Sequence, residues 1–239
     1  MKKDARKTQA GRAGKTRAGK IGASGPRSAW ARLFRRREPR LDLAFSNPLH
    51  RIDDAEYFLK EARWRVRGGY EKRSRVIGSI AEMIAEEDMD FEATAVVDRC
   101  IDALKAEQLN WPNLTDYDRL STAMDALESK GIVARENWWC CSNCGVDQIG
   151  YEIEDVARRG KRPRGYAFFH DQDVQAAVDG GLLYLDYGNA DPHYSARKSE
   201  VIGQDVVRSF KAAGLDVEWN GNLSRRIAVR LNWQRRWPY

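Results

Sequence analysis

The chain has 239 residues, enough for one ordinary domain with a buried core. Its apolar runs are only a few residues long and no signal-peptide pattern opens it, so we expect neither a transmembrane segment nor secretion. Three of its four cysteines are clustered, unlike the dispersed framework of a disulfide-stapled secreted protein, which favours the cytoplasm.

The net charge of +6 is divided unevenly along the chain. Residues 1–40 carry 14 Lys and Arg against two acidic residues, whereas the remaining 199 carry 27 basic and 33 acidic residues. The basic excess therefore belongs to a tail, and the rest of the chain is mildly acidic. Because residues 1–45 hold few large apolar side chains, we predict a disordered basic tail there.

Two features of this tail leave its role open. Trp30, Leu33 and Phe34 would share one face of a short surface-binding helix beside several arginines, although a solvated linker has the same composition. An Arg-rich, acid-poor start is also typical of an organellar transit peptide. The charge itself predicts contact with nucleic acid or an acidic membrane surface through residues 1–40.

Residues 46–112 are predicted to form a helical segment, because apolar residues recur there at three- and four-residue steps. The three stripes are Phe58, Leu59, Ala62 and Val66; Val76, Ile77, Ile80, Met83 and Ile84; and Val97, Cys100, Ile101 and Leu104. Cys100 lies within the third stripe, so we interpret it as a core residue.

Residues 113–239 are predicted to form an α+β domain that contains the cysteine cluster. Thr115 is a good N-cap for a first helix, which Gly131 would end. Beyond it, strand-forming residues with period two predict strands in IVARENWW, GYAFFH, LLYLDYG, LDVEW and RRIAVRLNW, and helices in DQDVQAAVDGG and around Val201 to Ala213. The fold class is therefore α+β, a mixed sheet of about five strands backed by helices, with a helical N-terminal portion.

The run Cys141-Ser142-Asn143-Cys144-Gly145 has the spacing of a zinc knuckle, in which glycine after the second cysteine admits a positive φ. A structural zinc site needs four ligands, and no cysteine follows Cys144. The predicted metal ligands are Cys141, Cys144, Cys140 and His170, with His193 or Cys100 as substitutes. His170 ends a predicted strand, where its ring could swing toward a neighbouring strand. Adjacent strand residues face opposite sides, which argues against Cys140 joining Cys141.

Other interpretations of the same residues stay open. The cysteines could be buried, unliganded thiols. A redox pair would place Cys141 at a helix start, but the following GVDQIGYEIEDV is not a convincing helix. An enzyme could use His170, Asp171 and Asp173 with a cysteine, although Asp171 as N-cap and Asp173 in the first helical turn already have a structural reason to be acidic.

Four motifs in this order resemble a bacterial family known only as a domain of unknown function. They are LESKGIVARENWWCCSNCG, RGYAFFHDQD, GGLLYLDYG and GLDVEWNGNLSRRIAVRLNW, between about Thr115 and Arg236. The resemblance implies that the cysteines, the histidine and the following polar residues belong to a shared template, and it implies no catalytic role. These template residues are Cys140, Cys141, Cys144, His170, Gln172 and Asp173. Our leading interpretation is a cytoplasmic binding or regulatory module with a structural zinc site and an unidentified protein partner.

The tail generates the first testable prediction. Deleting residues 1–40 is expected to abolish binding to duplex DNA or acidic vesicles together with its steep salt dependence, because phosphate neutralisation by Lys and Arg supplies that affinity. Affinity measured at low and high salt for the full and shortened chains checks this. A shortened chain that binds as before would refute the tail as the contact.

Overall fold

A computed structural model describes residues 51–86, 92–191, 193 and 195–237, with side chains from Glu56 onward. The tail predicted at residues 1–45 lies outside the described residues. The described residues form seven helices and five strands. The helices are α1 (Arg51–Gly68), α2 (Arg73–Glu86), α3 (Ala93–Gln108), α4 (Asp116–Ser129), α5 (Ser142–Arg158), α6 (Asp171–Val178) and α7 (Ala196–Ala212). The strands are β1 (Ile132–Arg135), β2 (Gly165–Phe168), β3 (Leu183–Asn189), β4 (Asp216–Glu218) and β5 (Ile227–Arg230).

The strands form one mixed sheet in the order β1-β2-β3-β5-β4, which confirms the predicted α+β class. β1 and β2 run parallel, and every other neighbouring pair runs antiparallel. Parallel neighbours need a crossover connection, and α5 supplies it. β4 and β5 form the predicted hairpin.

Helices cover both faces of the sheet. Ile132 and Ala167 point into the main core, to which α4, α6 and α7 contribute buried residues. Their neighbours Val133 and Phe168 point the other way, where Ile149 of α5 covers them. Adjacent strand residues thus face different layers, as the pleat of a strand requires.

The first three helices pack against one another through the stripes that the sequence predicted. Their fully or nearly fully buried members include Phe58, Ala62, Val66, Val76, Ile80, Ile84, Val97, Ile101 and Leu104. α1 also contacts α6, which links the helical portion to the sheet. Among the described residues, no helix is long and apolar enough to cross a membrane.

The N-cap predicted for α4 is confirmed. The hydroxyl of Thr115 accepts the backbone N–H of Asp118 at 3.2 Å, and the Asp118 carboxylate accepts the N–H of Thr115 at 2.7 Å. This reciprocal pair satisfies two amides that the helix start would otherwise leave unbonded. Gly131 follows α4 with φ 75°, a left-handed conformation that favours glycine.

Residues 231–237, which follow β5, connect the sheet to α1. The indole N–H of Trp233 donates to the carbonyl of Arg67 at 2.9 Å, near the end of α1. The Arg235 guanidinium lies 3.9 Å from the centroid of the Tyr70 ring, a cation–π distance. The end of α1 is therefore held by residues from the far end of the chain.

The prediction that no convincing helix follows Cys144 was wrong, because α5 spans Ser142–Arg158. Its apolar pattern is obscured because Val146 and Tyr151 are exposed and Gly150 interrupts the helical sequence. The buried face consists of Gly145, Ile149 and Val156. Gly145 needs to be small, because a Cβ there would lie 2.5 Å from the ring of Phe168.

This close approach predicts opposite effects for two glycines of one helix. We expect Gly145→Ala to lower the free energy of unfolding by about 2 kcal/mol, because the Phe168 ring must shift. Gly150→Ala, with nothing within 4 Å of its Cβ, is expected to raise it by about 0.5–1 kcal/mol through helix propensity. Denaturant unfolding measures both, and equal stability of the two variants would contradict the proposed contact.

Candidate functional site

Two residues of the segment between β1 and α5 have a left-handed backbone conformation. β1 ends at Arg135, four residues earlier than the predicted strand, and Asn137 and Trp139 have φ values of 48° and 63°. Non-glycine residues rarely adopt this conformation, because it costs about 1–2 kcal/mol. Two hydrogen bonds hold the segment beside the end of β2: the N–H of Trp138 donates to Phe169 O at 2.7 Å, and the N–H of Asp171 to Trp139 O at 3.0 Å.

This turn brings three sulfurs together. The Sγ atoms of Cys140, Cys141 and Cys144 all lie within 4.8 Å of one another. The expectation that Cys140 and Cys141 point apart was wrong for a physical reason, since the strand has already ended and the backbone turns at Trp139. Cys140 is exposed, and the other two cysteines are half-buried.

The start of α5 shapes the environment of these sulfurs. Cys141 is the N-cap residue of α5, and the nearby backbone N–H groups of Cys144 and Asn143 lower the pKa of its thiol. The positive φ expected at Gly145 was wrong, because Gly145 lies within the helix. Amides that have no partner within the first helical turn supply the donors instead.

The two cysteines of the Cys-x-x-Cys pair differ in acidity. Hydrogen bonds from the backbone N–H and the thiol of Cys144 lower the pKa of Cys141. The sulfurs of Cys141 and Cys140 raise the pKa of Cys144 to about 11. Cys141 is therefore the first of the pair to become a thiolate, the form that binds metals and attacks disulfides. Cys100, on α3, is separate: burial raises its pKa to about 11.

His170 lies in a second group of potential ligands, outside the 4.8 Å sulfur cluster. Its imidazole Nε2 lies 3.1 Å from Asp173 Oδ2, and its side chain is buried. His170, not Asp171 as predicted, is the N-cap residue of α6, and its backbone N–H donates to the Asp173 carboxylate at 3.1 Å. Asp171 is the first helical residue, and its pKa is raised by burial.

Arg226 neutralises two carboxylates of this group. It donates to both oxygens of Asp173, at 2.9 and 2.5 Å, and lies 2.9 Å from Asp186 Oδ2. The hydroxyl of Ser142 donates to Asp186 Oδ1 at 2.9 Å. Ser142 stands between the cysteines, so this bond joins the cysteine segment to the ionic group around His170.

Three residues of the site were not predicted from the sequence: Arg226, Asp186 and Ser142. Asp186 offered one indication, because a lone carboxylate within the apolar strand sequence LLYLDYG requires a polar partner. Arg226 lies 53 residues from Asp173, and nothing local predicts that pairing.

The imidazole of His170 has one free nitrogen. Its Nδ1 is buried and has no hydrogen-bond partner among the described residues. The whole residue is only 3% exposed, so water does not readily reach this nitrogen. Burial, followed by the charge of Arg226, lowers the pKa of His170, so the ring is neutral near pH 7. With the Nε2 proton placed toward Asp173, Nδ1 presents a lone pair.

Fold and site together define an α+β domain with a three-cysteine cluster beside a buried His–Asp–Arg group. Residues 52–237 match the model of a family described as Domain of unknown function (DUF6891), so the chain belongs to that family. This confirms the predicted resemblance to a family known only as a domain of unknown function. No curated protein and no solved structure matches the chain.

The environment of His170 predicts a pH dependence of stability. Because its folded pKa lies below the ordinary 6.5, the unfolded chain binds a proton that the folded chain does not, and stability falls as pH drops below 6.5. The slope is at most about 1.4 kcal/mol per pH unit. The pKa values of Asp171 and Asp186 are raised, so these two groups make stability rise as the pH falls, in a range nearer their ordinary pKa of 3.8.

We therefore expect His170→Asn, which keeps an N-cap residue, to flatten the fall in unfolding free energy between pH 7.5 and about pH 5.5. Denaturant unfolding across this range measures the effect. His193→Asn, at an exposed position, is the matched control and should keep the parent slope. An unchanged slope in His170→Asn would contradict the assignment.

Proposed function

We propose that this domain is a binding or regulatory module in which Cys140, Cys141 and Cys144 hold a structural zinc ion. The observation that carries the proposal is the approach of the three sulfurs within 4.8 Å at the start of α5. Ligand sulfurs about 2.3 Å from a tetrahedral zinc lie about 3.8 Å apart. Small rotations of the cysteine side chains would bring sulfurs that lie within 4.8 Å of one another to the separation of about 3.8 Å that zinc requires.

His170 is proposed as the fourth ligand. Metal-bound histidines usually donate their second ring N–H to a carboxylate, which is the relation of His170 Nε2 to Asp173. Nδ1 then offers its free lone pair. Because His170 lies outside the sulfur cluster, zinc binding would require the cysteine segment and the start of α6 to approach. A hydrogen bond from the N–H of Asp171 to Trp139 O already joins these two segments, and Ser142 links the cysteine segment to Asp186 of β3.

The proposed setting is the cytoplasm, where free thiols stay reduced and available to a metal. The proposed partner of such a module is a protein. The tail at residues 1–40 is a separate candidate contact for nucleic acid or an acidic surface.

An enzyme remains the second candidate, supported by the same free Nδ1 of His170. A neutral imidazole oriented by a carboxylate is the arrangement of a general base. Of the predicted carboxylates, Asp173 contacts the ring, and the pKa of Asp171 is raised by burial. A cysteine nucleophile would need its sulfur within hydrogen-bond reach of Nδ1, which the separate grouping of the sulfurs disfavours.

Metal analysis tests the zinc proposal. Protein purified under reducing conditions without added metal is expected to contain about one equivalent of zinc, and Cys141→Ser or Cys144→Ser to retain under about a tenth of one. Cys100→Ser is the matched control and should keep the zinc, since Cys100 lies on α3. We expect His170→Gln to weaken zinc affinity by about 10–100-fold in competition with a chromophoric chelator.

Two results would contradict the proposal. One is metal-free wild-type protein whose thermal stability is unchanged by zinc or chelator. The other is equal zinc retention in Cys100→Ser and Cys141→Ser, which would place the metal elsewhere.

A further inference from the structure

The surface around the cysteine segment exposes more apolar area than a structural metal site explains. Trp139, Val146 and Tyr151 are 47%, 45% and 67% exposed, and all three lie within seven residues of a clustered cysteine. Val146, Gly150 and Tyr151 are exposed positions of α5, and a Cβ at Gly150 would meet nothing within 4 Å. Exposed apolar groups gathered at one place are typical of a contact surface.

The exposed part of α5 also carries negative charge. Asp147 and Glu154 are exposed there, next to Val146 and Tyr151, and no described ion pair involves either carboxylate. A polypeptide segment that combines apolar and basic side chains would complement this surface. Cys140, which is exposed, follows Trp139 directly in the sequence.

The position of Cys141 adds chemistry to the contact. A Cys-x-x-Cys pair at the N-terminus of a helix is suited to thiol–disulfide exchange, because backbone N–H groups stabilise the sulfur charge. Cys141 is the N-cap residue of α5, which runs for 17 residues behind it, and its sulfur lies within 4.8 Å of the Cys144 sulfur. GVDQIGYEIEDV, which was not predicted to be a convincing helix, lies within α5, so that objection to a redox pair does not hold.

We propose that Cys141 and Cys144 exchange disulfides with a protein whose disulfide lies in an apolar, basic segment that docks on Trp139, Val146 and Tyr151. The inference uses the sulfurs of the proposed zinc site but does not require zinc. Zinc and a disulfide exclude each other at these sulfurs, so bound metal would protect the pair from oxidation.

The exchange has two balanced steps. The Cys141 thiolate attacks one sulfur of the partner disulfide, and the other partner sulfur leaves as a thiolate that takes a proton from water. The Cys144 thiol then loses its proton, attacks the Cys141 sulfur and releases the second partner thiol. Two electrons pass from the cysteine pair to the partner, and a small-molecule thiol returns them.

Trapping the intermediate tests the proposal. The probe is a synthetic peptide with one disulfide flanked by Leu and Arg, mixed with the reduced, chelator-treated full chain. Cys144→Ser is expected to accumulate a mixed disulfide at Cys141, visible by mass spectrometry, because the second step is blocked. Cys141→Ser should form none; serine is a favourable N-cap residue, so this variant keeps the helix start. Cys100→Ser should release free peptide thiols as the parent does.

Two matched variants test the docking surface. Tyr151→Ser is expected to slow mixed-disulfide formation by at least about fivefold, whereas Val201→Ser, exposed on α7 away from the cysteines, should leave the rate unchanged. A peptide with Glu in place of Arg should react more slowly with the parent chain. Equal rates for the two variants and the two peptides would overturn the docking surface.

The outcomes separate this inference from the zinc proposal. A metal-free chain that forms the Cys141–Cys144 disulfide supports exchange and contradicts the zinc site. A zinc-loaded chain that reacts only after chelation supports both. Absence of any adduct at Cys141 in metal-free Cys144→Ser overturns the exchange whatever the zinc content.

Discussion

The parallel pairing of β1 and β2 determines where the site forms. Such a pair requires a crossover, and here α5 lies so close to the sheet that Gly145 contacts the Phe168 ring of β2. The chain must turn sharply between the end of β1 and the start of this helix, which is where the cysteines stand. The carboxyl ends of both strands meet at the same edge, so His170 arrives beside them.

The charges at this edge are arranged around one guanidinium. Arg226 pairs with Asp173 and Asp186, and these carboxylates reach the imidazole of His170 and the hydroxyl of Ser142. A buried carboxylate without such a partner would be strongly unfavourable. The arrangement leaves His170 neutral, with its Nδ1 unpaired among the described residues, and it holds the cysteine segment to β3 through Ser142.

Sequence reasoning recovered the elements whose apolar residues follow a single period. The stripes of α1 to α3, the Thr115 cap and the alternating residues of β5 are local patterns, and each is decided within a few residues. α5 was not predicted because Val146 and Tyr151 are apolar yet exposed, so the apolar residues of its sequence do not form one helical stripe. At the site, cysteine spacing predicted the sulfur cluster, while Arg226 and Asp186 depend on strand neighbours that only the sheet order defines.

The contact of Trp233 with α1 bears on how the chain reaches its native state. That hydrogen bond joins residues 166 positions apart, and Arg235 adds a second contact of similar span. Long loops must close before such contacts form, which raises the contact order and slows folding relative to a helical bundle. The helical portion is therefore expected to complete its packing late, after the sheet has brought the final residues into place.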